Sequence, residues 1–236
     1  VIDTAGTDTA GTDTEQQPKR SQKTALLVIG AIGLIVIGFA VGFLVQMPLA
    51  DKGNPVPADN SVDVGFAQDM TVHHNQAIEM ATIGYTDAVD PLVKNLAYDI
   101  LTTQQNQVGQ MQGWLALWDK APLSSGGYMA WMTADSGHSM SGMSAATTTG
   151  AQTTMPGMAS ADDMARLRTA TGSDVDVLFL QLMLRHHQGG LEMMQYGATY
   201  AETPAVRQLA QTMVNTQTSE SQLMTQMLTE KGAQPL

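Results

Sequence analysis

The segment Met70-Thr71-Val72-His73-His74 returns as Met183-Leu184-Arg185-His186-His187, and this duplication limits the chain to folds built from two similar halves. Subtracting 73 from 186 gives an offset of 113 residues, and the same offset pairs Asp63 with Asp176 and Phe66 with Phe179. It also pairs Gln68 with Gln181, Glu79 with Glu192, Met80 with Met193 and Gly84 with Gly197. Further on it pairs Pro91 with Pro204, Leu96 with Leu209, Gln104 with Gln217 and Met111 with Met224, with no gap. Four of the five histidines lie in the two matching pairs.

Each half reads as a helical hairpin. From Asp63 to Tyr85, residues Phe66, Met70, His73, Ala77, Met80 and Gly84 fall on one helical stripe, with His74 and Ala81 on its flank. Asp90-Pro91 starts a second helix, because Asp can cap and Pro fits the first turn, where its missing N–H is not needed. That helix is expected to run to about Trp118 with Val93, Leu96, Ile100, Val108, Met111 and Leu115 on its apolar side. The second half repeats the scheme from Asp174 to Tyr200 and from Thr203-Pro204 to Lys231, where Gly232 is a stop signal. Two hairpins with apolar stripes bury them against each other, which predicts an all-α four-helix bundle over residues 61–236.

The regions outside the repeat differ in kind. Residues 1–23 open as a low-complexity acidic segment and are expected to be a disordered tail. Lys19, Arg20 and Lys23 then precede an apolar run from Ala25 to Val45, whose 21 residues would span about 30 Å as a helix. Residues 24–46 are therefore expected to be an uncleaved transmembrane helix, with the basic flank placing the tail in the cytoplasm and the rest outside. Residues 47–60, with Pro55 and Pro57, read as a short stiff tether. Between the halves, residues 120–160 form a linker rich in Gly, Ser, Thr and Met. At its end, Ser160 and Asp163 pattern as a capping box for a short helix that stops near Gly172.

Charge and composition exclude several functions. A net charge of −11 opposes nucleic acid and anionic lipid as main partners, since both select basic faces. The absence of cysteine removes disulfides, thiolate metal sites and cysteine nucleophiles. Di-iron bundles need Glu-x-x-His on two helices, whereas Met70 and Met183 stand three residues before each first histidine. No nucleophile elbow, phosphate loop or zinc-protease motif is present, so an enzyme is not expected.

What remains is metal chemistry. Adjacent histidines on a helix lie about 100° apart, so both rings can turn toward the interior. Two adjacent imidazoles are costly in an apolar core unless their nitrogens are met. The alternatives are a hydrogen-bonded polar layer, with Gln68, Gln76 or Asp69 as partners, or a metal site. Of the 17 methionines, all but Met47 fall at or after Met70. Met80, Met111, Met193, Met213, Met224 and Met227 have the helical spacing of core filler. Met70 and Met183 share a face with the histidines and are candidate ligands. The linker methionines follow no helical period. Met129, Met132, Met140, Met143, Met155 and Met158, with His138 nearby, offer flexible thioethers, and His138, Met140, Met143, Met155 and Met158 are a candidate secondary capture site. Thioethers select Cu(I), and imidazole accepts copper in either oxidation state.

The residues Phe66, Met70, His73, His74, Ala77 and Met80, repeated as Phe179, Met183, His186, His187, Gly190 and Met193, resemble the bacterial domain-of-unknown-function family 305. Met155, Pro156, Gly157, Met158, Met164, Leu167, Gly172 and Asp176 also match that family's approach to its second half, and the similarity covers about residues 60–231. The resemblance implies a ferritin-like fold and an exported protein that handles copper through Met and His. Gln107 stands where the family often has Glu, while the matching Glu220 is kept, and Gly190 replaces the usual Ala. The expectation is a membrane-anchored, extracytoplasmic copper-binding protein for sequestration, tolerance or delivery. Its ligands are His73, His74, His186 and His187, completed by Met70 and Met183. An interaction module attached to a membrane complex, with structural histidines, is the rival reading, and haem held between His and Met is a weaker third.

Overall fold

The computed structural model describes residues 30–43, 56–132 and 152–236, and the chain divides into two units, Val1–Asn54 and Pro55–Leu236. In the first unit, residues 30–43 form helix α1, on which Ile32, Leu34, Phe39 and Phe43 are exposed. Among the described residues no helix is long and apolar enough to cross a membrane. The expected span 24–46 reaches beyond the described residues at both ends. The expected tail lies wholly outside them, as does most of the tether.

The regular structure of the second unit's described residues is helical, with α2 (Val62–Asp87), α3 (Pro91–Leu117), α4 (Ala161–Thr169), α5 (Ser173–Tyr200) and α6 (Pro204–Glu230), and one isolated β-bridge lies in the irregular stretches between them. Local chemistry explains most of the boundaries. Ser61 accepts from Val64 N at 3.3 Å to start α2, and Asp90 accepts from Leu92 N at 2.9 Å ahead of Pro91 to start α3. Ser160 and Asp163 close a reciprocal capping box on α4. Gly232 turns left-handed (φ 65°) after α6, letting Ala233 N reach Leu228 O at 2.9 Å.

α2 pairs with α3 and α5 pairs with α6, and the hairpins meet along α2 and α5. Every residue of the expected α2 stripe is buried, from Phe66 to Gly84. The meeting surface obeys the 113-residue offset. Phe66 lies on Gly197 and Phe179 lies on Gly84, so close that a Cβ there would stand 2.7 Å and 2.9 Å from the rings. Asp63 accepts from Glu202 N and Thr203 N, both at 2.8 Å, and Asp176 accepts from Val89 N at 2.9 Å and Asp90 N at 3.3 Å. Each hairpin therefore caps the turn of the other. Asp90 also caps its own helix through its side chain, whereas Thr203 makes no side-chain cap.

The linker departs from expectation. Its described ends are packed rather than structureless. Trp131 covers Gly65, its indole and Met129 N both donate to Asp69 (2.8 and 2.7 Å), and Tyr128 and Gln152 form a two-way backbone bridge. Met129 and Met155 are buried and Met132 and Met158 half-buried against the same apolar cluster as Phe66 and Met70. These four are core contacts without helical period, because the segment wraps across helices instead of forming one. His138, Met140 and Met143 lie outside the described residues.

Candidate metal centre

About two turns after Phe66, the 100° step between His73 and His74 sends the two rings in different directions. His73 points across the α2–α5 contact and meets His186, with ring centroids 3.8 Å apart and planes tilted by 36°. His74 turns back into its own hairpin, where its Nε2 lies 2.8 Å from the Gln107 amide oxygen on α3. His187 does the same toward α6, with Nε2 2.7 Å from a Glu220 carboxylate oxygen. Within each doublet the rings are 6.5 Å apart. The structure therefore joins the halves through an inner pair and attaches one outer histidine to each hairpin. All four side chains are buried.

Hydrogen bonding fixes the tautomers. His73 Nε2 lies 3.2 Å from Pro156 O. A backbone carbonyl, an amide oxygen and a carboxylate only accept, so His73, His74 and His187 each carry their proton on Nε2. Their Nδ1 atoms are buried with no partner, and neither ring nitrogen of His186 has a partner of good geometry. Five buried ring nitrogens are thus left unmet. Burial, opposed in part by the Pro156 carbonyl, lowers the His73 pKa to about 4. Burial and then the His73 charge lower His74 to about 3. His186 is also held well below its ordinary value, by burial first and then by His73, although the nearby His73 backbone acts weakly in the opposite sense. At neutral pH these three rings are uncharged and can offer lone pairs.

The other expected ligands are placed as follows. Met70 and Met183 are fully buried but belong to different apolar clusters, Met70 with Phe66 and Met193, Met183 with Phe179 and Met80. The histidine layer lies where these clusters meet along α2 and α5. Met155 and Met158 flank Pro156-Gly157, which rests directly on α5. A Cβ on Gly157 would meet Arg185 O at 2.6 Å, and one on Gly189 would meet the Gly157 backbone at 2.4 Å. Gln76 holds the same segment from α2 by accepting from Ala159 N (2.6 Å) and donating to Ala159 O (2.9 Å). The linker thus covers the inner pair and supplies one of its hydrogen bonds.

Gln68, Gln76 and Asp69, the partners considered for a satisfied histidine layer, bond elsewhere: to Ala121, to Ala159, and to Met129 and Trp131. The histidines' actual side-chain partners are Gln107 and Glu220. The 113-residue offset pairs these two and could have marked them. Gln104 and Gln217, one turn earlier, are also buried, with both amide atoms of Gln104 and the Gln217 oxygen unpartnered. Among the described residues no three His, Asp or Glu side chains converge as a ready-made metal cage. The donor set is nitrogen-rich, and His73, His74 and His186 in it are neutral.

Comparison with known proteins agrees with this architecture. The family model described as Domain of unknown function (DUF305) matches residues 63–228. A DUF305 protein of Streptomyces coelicolor, described as secreted, has a crystal structure that aligns with a TM-score of 0.65 at 41% identity. The alignment covers 76% of this chain and 99% of that one. A DUF305 fragment from Deinococcus radiodurans aligns with a TM-score of 0.57 at 29% identity, covering 74% and 99%. CopM in its Cu(I)-bound form aligns with a TM-score of 0.51 at 26% identity, covering 71% and 96%. No curated protein matches the chain.

Proposed function

The chain belongs to the DUF305 family, and from that membership and the histidine geometry we propose that it binds copper as cargo, without catalysis, through His73, His74, His186 and His187. The observation that carries the reading is the set of five buried, unpartnered imidazole nitrogens. An unmet buried polar atom costs about 1–3 kcal/mol, so five cost roughly as much as the whole net stability of an ordinary domain. A ligand that takes lone pairs removes that cost. Neutral imidazole suits copper in either oxidation state, and the buried thioethers of Met70 and Met183 would favour Cu(I). The likeness to CopM, solved with Cu(I), supports the same choice.

The scaffold is read as a ferritin-like four-helix bundle, held outside the cell membrane by the apolar segment 24–46. The length of that run and the basic residues before it support the anchor, and the secreted relative supports the compartment. There the protein would sequester copper or deliver it.

Titration of the purified full-length chain with Cu(I) against a competing chelator, and separately with Cu(II), tests the assignment. The wild-type protein is expected to bind and the quadruple His→Ala variant to lose binding while keeping its helical spectrum. Equal binding by a folded quadruple variant defeats it.

A further inference from the structure

The two outer histidines sit in unequal surroundings. His74 bonds to Gln107, a neutral amide, and His187 bonds to Glu220, a carboxylate whose side chain is 15% exposed. Next to His187, a groove of about 400 Å³ opens on the α5–α6 face, lined among others by His187, Gln188, Leu191, Gln217, Thr218 and Ser221. The offset explains what shaped it. Thr218 and Ser221 stand where the first hairpin has Gln105 and Val108. Val108 is a buried apolar residue, whereas Ser221 is short and polar. Gln217, which also lines this groove, has a buried side-chain oxygen without a partner. The inner pair, by contrast, is covered by the linker at Pro156-Gly157.

We propose that the paired sites are unequal and load from one side, the ion entering by the α5–α6 groove onto His187, with Glu220 making that half the tighter one. Glu220 is a positioning residue. It holds the Nε2–H tautomer of His187, aims the bare Nδ1, and places a negative charge behind the ring, which strengthens a metal-bound imidazole. Gln107 holds the same tautomer on His74 but adds no charge. A cation brought into the buried histidine layer is therefore stabilised more on the Glu220 side.

This rests on the copper reading above, and the test separates the two. Full-length wild type, Glu220→Gln, Gln107→Glu, the double swap and Thr218→Trp are titrated with Cu(I) against a chelator, and imidazole ¹⁵N signals are followed at substoichiometric metal. Glu220→Gln should weaken the first binding step about 10–100-fold, the usual effect of losing such a partner. Gln107→Glu should tighten the second step. In wild type the His187 signals should shift before those of His74, and the double swap should reverse the order, which a general loss of stability would not do. Thr218→Trp, which plugs the groove, should slow loading with little change in final affinity. If wild type binds no copper, the copper reading itself fails. If wild type binds but the two histidines shift together and Glu220→Gln binds equally well, only the one-sided loading is overturned.

Discussion

The two hairpins match at the residues that act between them, and differ at some of those that face only their own hairpin. Asp63 and Asp176, Phe66 and Phe179, Gly84 and Gly197, and His73 and His186 all act across the α2–α5 contact, and each pair is identical. Gln107 and Glu220, or Val108 and Ser221, belong to the outer helices and have drifted apart. Each Asp and Phe contact between the hairpins is made twice, once in each direction of the repeat, whereas a residue that faces only its own hairpin can differ from its counterpart. The exception is instructive: Gly190 lies on α5 opposite His73, where a Cβ would come within 2.8 Å of the ring. The equivalent residue in the first half is Ala77, so even the shared surface seats its two inner histidines differently.

The largest expected effect tests the symmetry itself. Phe66→Ala and Phe179→Ala each empty a socket over a glycine and should each cost about 3–5 kcal/mol in urea denaturation. The Phe66 loss should be the larger by about 0.5–1.5 kcal/mol, since Phe66 also packs edge-on to Trp131 with ring centroids 6.1 Å apart. A tolerated change at one site and a severe one at the other would break the comparison.

Acid probes what the halves share. The folded-state pKa of His73 is about 4 and that of His74 about 3, against 6.5 for the free side chain. As pH falls below 6.5, the unfolded chain takes up protons that the folded chain refuses. Stability should therefore be level above that value with respect to these groups, and fall between about pH 6.5 and 3. For His73 alone the loss is on the order of 3 kcal/mol. Asp69, whose carboxyl burial raises, works in the opposite direction. Urea midpoints of the metal-free protein at pH 7, 5.5 and 4.5 check the sign, and a midpoint that rose on acidification would contradict the buried neutral rings.

Asp63→Ala and Asp176→Ala remove the reciprocal caps, and each should cost about 1–3 kcal/mol. Asp176→Ala should cost the more, because Asp176 also meets Lys231 at 3.2 Å, and equal melting temperatures would argue that this ion pair is idle. The smallest effect is expected from Gly190→Ala, about 1 kcal/mol, if the His73 ring can shift to make room. Its sharper readout is the His73 ring proton spectrum, which should change while that of His74 stays put; Ala77→Gly should leave His73 unmoved.

Much of this was written locally. The stripe from Phe66 to Gly84, the Asp90-Pro91 start, the Ser160–Asp163 box and the Gly232 stop depend on spacing and on groups a few residues apart, and the structure shows each of them. The roles of Asp69 and Gln76 were not legible. Both looked like candidate partners of the adjacent histidines, yet they secure linker segments 60 and 83 positions away. The burial of Met129 and Met155 was not legible for a related reason. Their burial follows from a segment crossing helices, and no periodicity along the chain records such a path.

The sequence by itself determined two similar helical hairpins, their boundaries and the residue types of the centre, because helix formation and capping act over one or two turns. Only the tertiary structure decided that His73 pairs with His186 while His74 and His187 turn to Gln107 and Glu220. It also decided that Pro156 covers the inner pair and that a groove opens beside His187. Those outcomes depend on where two helices 113 residues apart come into contact, and the direction of a ring at that contact is set by the space its neighbours leave.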